Sequence, residues 1–158
     1  NEFPFHLLSV RSPGMNVNLD LLAFRFFKLF AQYEFTLKEN GLFHADRSGN
    51  VIVDWDSFAN KVIGKNFKDD LGDLASAAEY ILDQPPKRQM VEGGRVVWVD
   101  VPATEKSVQI LFGHISRVRN NLFHGAKFNG TWFDPTRSET LLTNSLSVLE
   151  RFRQKAGV

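Results

Sequence analysis

Between Asn18 and Asn40 apolar residues recur three and four positions apart: Leu22, Phe26, Leu29, Phe30, Tyr33 and Leu37. That spacing places all six on one side of an α-helix. It gives a β-strand, whose sides alternate at every residue, no consistent apolar face. Asn18 or Asp20 can accept from the free N–H groups at the helix start, and Gly41 supplies a stop. Glu34 lies beside the stripe as the first helix's candidate for a polar role. A helix with one such face needs other helices to cover it, so the same period should return along the chain.

It does return. Asp54-Trp55-Asp56-Ser57-Phe58 reads as the opening of a second helix that Gly64 ends or bends, after a turn-rich connection over 44–50. Leu71, Leu74, Ala75, Ala78 and Leu82 predict a helix from Asp69 to Asp83. Pro85-Pro86 terminates it, because proline lacks the N–H and disfavours helix in the residue before it. Gly93-Gly94 separates Gln89-Met90-Val91 from Val96-Val97-Trp98-Val99, which predicts a short hairpin or an ordered loop. After Pro102, Thr104 with Glu105 opens a helix to about Phe123, and Thr136 or Ser138 opens the last one, ending near Lys155. The expectation is a mostly α, up-and-down helical bundle with a short irregular or hairpin insert near 85–103. Residues 18–158 form its single domain, behind an N-terminal segment over 1–17.

Composition narrows the function classes. The 158 residues include 15 phenylalanines, several at helical spacing, as an aromatic core requires. Nineteen lysines and arginines against 18 acidic residues leave a net charge of +1, so any nucleic-acid contact must come from a local patch. The absence of cysteine excludes disulfides, cysteine-based zinc sites and thiol catalysis, and fits a cytoplasmic protein. No apolar run approaches a membrane span. Residues 1–14 are consistent with native sequence or with an added leader, and lack the basic start and apolar stretch of a secretory signal. His44 with Asp46, and His114 with His124, match no metal-ligand spacing, so neither a metal nor another cofactor is expected.

The chemistry-bearing stretch is Arg117-Val118-Arg119-Asn120-Asn121-Leu122-Phe123-His124-Gly125. On a helical wheel Val108, Leu111, Ile115, Val118 and Leu122 make one apolar face, with His114, Arg117, Asn120, Asn121 and His124 gathered on the other side. Arg119 and His124 are about 140° apart on an ideal helix, so they converge only if the helix ends or unwinds between them, or if a second chain contributes. Gly125 suits the left-handed residue past a helix end. The same residues also fit a plain helix C-terminus with basic groups near the negative end of its dipole. Arginine can grip a phosphate through its planar fork, and histidine can move protons near neutrality. Arg117 and Lys127 are candidate RNA-backbone contacts, while Trp55, Trp98 and Trp132 suit either base stacking or the core.

Arg119-Asn120-Asn121-Leu122-Phe123-His124 resembles the Arg-(four to six residues)-His motif of the HEPN (higher eukaryotes and prokaryotes nucleotide-binding) superfamily, with a polar residue directly after the arginine. The longer string through Gly125-Ala126-Lys127 is similar to a plasmid-borne bacterial branch. So are Phe30, Glu34, Leu37 and Lys38 before Gly41, then Trp55, and Pro85-Pro86-Lys87 with Gln89. The likeness spans roughly residues 18–155. It implies a homodimer with the motif at the subunit interface and, in many members, a metal-independent endoribonuclease restrained by an antitoxin protein. It would make Arg119 and His124 the catalytic pair and Asn120 their polar helper, with Asn121 and Glu34 in support. The rival expectation is a non-catalytic HEPN module that binds nucleotide, RNA or another protein.

Overall fold

The computed structural model describes residues 17–123 and 134–158 and is mostly helical. Its first helix, α1 (Val17–Glu39), matches the expected span, and Gly41 follows it with φ +76°. The connection after it contains a feature absent from the sequence reading. Strands β1 (Phe43–Ala45) and β2 (Val51–Val53) pair antiparallel, Phe43 opposite Val53. Asp46 closes the turn between them by accepting from the backbone N–H groups of Ser48 and Asn50, both at 2.8 Å. Three-residue strands carry too little alternation to register as a pattern.

Asp54 then caps α2 (Trp55–Ser57), accepting from the Ser57 N–H at 2.9 Å. The helix runs on as a π-helical turn over Phe58–Ile63 and stops at Gly64, φ +86°. The continuous helix expected over Asp69–Asp83 is three pieces: α3 (Phe67–Leu71), a 3₁₀ turn (Gly72–Leu74) and α4 (Ala75–Asp83). Gly72, at φ +56°, is the break, since no α-helix carries that backbone angle. As expected, α4 ends before Pro85-Pro86, both buried. The insert is a hairpin, β3 (Arg88–Glu92) with β4 (Arg95–Val99), joined through Gly93 and Gly94 at φ +54° and +74°. Two successive positive φ angles are what a tight type I′ turn demands.

Helix α5 (Val108–Phe123) starts four residues later than expected, where the Ser107 hydroxyl accepts from the Ile110 N–H at 3.3 Å. Helix α6 (Pro135–Ala156) is capped by Asp134, which accepts from the Arg137 N–H at 3.0 Å, and has proline at its first position. Among the described residues no helix is long and apolar enough to cross a membrane.

One buried cluster joins these elements. α1 packs along α6, α4 lies against α5 and α6, and α2 with its π-helical turn lies on α5. Trp55, partly buried, packs against the cluster and contacts Phe30 at 4.8 Å, Phe58 at 5.8 Å and Phe112 at 6.1 Å between ring centres. Tyr33, buried beside them, donates its hydroxyl to the Leu149 carbonyl of α6 at 2.5 Å. Burial raises the pKa of that hydroxyl, so it keeps its proton and remains a donor. Arg137 clamps the opposite end: its guanidinium donates to the Tyr80 hydroxyl and to the carbonyls of Gln84 and Pro85, fastening the start of α6 to the end of α4.

The buried Tyr33 hydroxyl generates a stability prediction. Tyr33→Phe should cost about 1 kcal/mol, lowering the midpoint of thermal unfolding by roughly 2–4 °C with the helical circular dichroism unchanged. An unshifted midpoint would mean that the hydrogen bond contributes nothing.

Candidate active site

Val108, Leu111, Phe112, Ile115 and Val118 turn into the core and fix the rotation of α5. Arg119 is thereby set at the seam between α5 and α1, partly exposed. Its Nη2 lies 3.9 Å from Oε2 of Glu34 on α1. Its Nη1 donates to Oδ1 of Asn120 at 3.0 Å. Two rings cover the guanidinium, Phe123 at 5.3 Å and Phe30 at 5.8 Å from the ring centres. Cation–π contacts and the carboxylate hold the head group in one place without wrapping it. The Glu34 contact reaches a single nitrogen at the edge of ion-pair range, so it is not the two-pronged arginine–carboxylate fork.

The structure thus brings Arg119, Asn120 and Glu34 together and sends two other candidates elsewhere. Asn121 donates from Nδ2 to the Lys87 carbonyl at 3.0 Å and so ties α5 to the root of the β3–β4 hairpin. Arg117 lies near Arg88 and His114; burial and the nearby Arg88 lower its pKa. His124 follows Phe123 directly in the chain but lies outside the described residues, as do Gly125, Lys127 and Trp132.

His114 corrects the wheel. It was expected with the polar residues and is instead 6% exposed, within the core. α5 is covered on two sides, by α2 with its π-helical turn and by α4, so its buried arc is wider than one five-residue stripe. Burial, with Arg117 adding repulsion, pushes the His114 pKa from 6.5 down to about 4, so the imidazole is neutral at pH 7.

Sequence reasoning missed Phe30 and Phe123 as the seat of the arginine. The signal was present: Phe123 follows Arg119 by one helical turn, and Phe30 precedes Glu34 by the same interval. Two aromatics and two opposite charges, each pair at i,i+4 on its own helix, make facing edges when the helices pack. Among the described residues no three histidine, aspartate or glutamate side chains gather as a metal site. No family model, curated protein or solved structure matches the chain.

The His114 burial predicts an acid-sensitive fold. Its folded pKa lies below the unfolded value, so the unfolded chain binds the extra proton. The stabilisation of the neutral form is complete above pH 6.5 and is lost as pH falls toward 4. It amounts to on the order of 3 kcal/mol across that window. Urea unfolding between pH 7 and pH 4 should reveal this loss in the wild type and a shallower dependence in His114→Leu. Parallel pH profiles would assign the sensitivity to other groups.

Proposed function

We propose that this chain is a metal-independent endoribonuclease of the HEPN type that works as a symmetric dimer in the cytoplasm. The observation that carries the reading is the seat of Arg119: a partly exposed guanidinium fixed by Phe30, Phe123, Asn120 and Glu34, on the helix that leads directly to His124. A held arginine followed five residues later in the chain by a histidine suits phosphodiester chemistry in RNA, which carries its own nucleophile. The 2′-oxygen bonds to phosphorus and the bond to the 5′-oxygen breaks. One base removes the 2′-proton and one acid gives a proton to the leaving 5′-oxygen. His124 serves as one of these groups, and the second copy of the chain supplies the other. Arg119 stabilises the charge that builds on the non-bridging oxygens. Asn120 and Glu34 keep the guanidinium oriented. Asn121, bonded to the hairpin root, supports the same end of α5 indirectly. Lys127 contacts the RNA backbone beyond the scissile bond, while Arg117, near Arg88 and His114, is left out of that role. The biological role in this reading is a toxin, or a defence or stress effector, with an antitoxin protein covering or modifying the site.

Purified protein should cut RNA in EDTA, leave DNA intact and produce 2′,3′-cyclic phosphate ends. His124→Ala and Arg119→Ala should each lower the rate about 10²–10⁴-fold with the helical spectrum retained. Arg119→Lys should recover little, because the point charge of an ammonium lacks the planar fork. Activity that survives in both alanine variants, or that requires added Mg²⁺, overturns this site. Folded wild type inert toward varied RNAs overturns the nuclease reading in favour of a non-catalytic nucleotide- or RNA-binding HEPN module.

A further inference from the structure

Helix α1 is apolar on both sides. Its inner face carries Phe26, Tyr33 and Leu37 into the core. By the helical period Phe24 sits directly opposite Tyr33, and the outward face carries Leu21, Phe24, Phe27, Ala31 and Phe35. Their exposures are high: Leu21 56%, Phe24 59%, Phe27 41% and Phe35 67%. The stripe continues onto α5, where Phe123, 48% exposed, meets Phe27 with ring centres 4.8 Å apart. At roughly 200 Å² per phenylalanine these side chains expose on the order of 500 Å² of apolar surface. That is at the upper end of what a monomer leaves to water, where such patches are about 300–600 Å² and commonly functional.

We infer that this outward face of α1 is the interface with a second copy of the chain, the two α1 helices crossing antiparallel about Ala31. Two copies of the patch bury on the order of 1,000 Å² before any rim contact is counted, which reaches the ~1,000 Å² that a specific interface needs. A two-fold interface requires each residue to meet a counterpart reciprocally. Ala31 is the small residue at the middle of the stripe, with Phe27 four positions before it and Phe35 four after. With Ala31 on the axis, Phe27 faces Phe35 of the partner subunit and Phe24 faces the partner's Lys38. Lys28 faces the partner's Glu34, so opposite charges meet. An open groove of about 480 Å³ between Phe27, Ala31, Phe35, Gly157 and Val158 gives an aromatic knob a place to enter.

This interface borders the Arg119 site, since the Phe123 ring that touches Phe27 also covers the guanidinium. The partner's Lys28 would share the Glu34 carboxylate with Arg119. The assignment rests on the dimeric nuclease reading: a monomeric wild type overturns both, whereas a dimer that forms through another face or in another register overturns this assignment alone.

The chain has no cysteine, so a single one can be introduced cleanly. Oxidised Ala31→Cys should run as a covalent dimer on a non-reducing gel at low micromolar concentration. Ser48→Cys, exposed on the β1–β2 turn, should remain a single chain under the same conditions. Phe24→Glu with Phe35→Glu should shift the sedimenting mass from twice the chain mass to once, with unchanged helical circular dichroism. A wild type that sediments as a monomer at tens of micromolar overturns the proposal and leaves the stripe to another segment or protein. A dimer that survives both glutamates overturns the choice of face. A dimer in which Ala31→Cys does not cross-link overturns the antiparallel register.

Discussion

The packing of Tyr33 sets the rotation of α1, and most of what is chemically interesting follows from that rotation. Its ring lies against Trp55 and Phe58, and its hydroxyl reaches the Leu149 carbonyl across the core. An apolar side chain could slide within such a cluster at modest cost. A buried hydroxyl that must find one acceptor cannot, because leaving that acceptor costs the desolvation of both groups. With Tyr33 pinned, Glu34 is turned to the α5 seam and Phe35 to the outside. A helix rotated by one residue would bury Glu34 and lose its contact with Arg119.

The helix that carries Arg119 is held from a second direction. Arg137 joins the first turn of α6 to the last turn of α4, and Pro85 and Pro86 are buried where the chain leaves that clamp. The hairpin root is then tied to α5 through Asn121 and the Lys87 carbonyl. The arginine seat at the end of α5 therefore rests on a braced frame, although its own contacts are partly exposed. That combination suits a group that must meet a charged ligand without moving far. Fixed donors stabilise developing charge better than donors that must reorganise.

The two-sided apolar character of α1 explains why its sequence was read incompletely. Leu22, Phe26, Leu29, Phe30, Tyr33 and Leu37 fill one stripe so convincingly that Leu21, Phe24, Phe27 and Phe35 pass as scatter. Exposure separates the two sets, and only packing determines exposure. α5 presents the reverse case. Its narrow stripe predicted one buried face, yet helices on two sides extended that face to Phe112 and His114. A histidine judged polar by its type became a neutral core residue through its surroundings.

What the sequence determined by itself was local. The apolar period marked α1 and α5, and Asp54 and Gly64 bounded the second helical segment. Pro85-Pro86 ended α4, and Gly93-Gly94 sat at the hairpin turn. Each depends on a backbone preference or on side chains within one turn, so a short window contains all the information. Gly72 and the Asp46 turn are local as well, but a single glycine and a three-residue strand are weak signals. The tertiary structure decided which distant side chains meet: Glu34 with Arg119, Phe30 over the guanidinium, Asn121 with Lys87, and Arg117 near His114. These meetings depend on how one helix is rotated against another. That rotation is fixed by the whole buried cluster and is not encoded in any single segment.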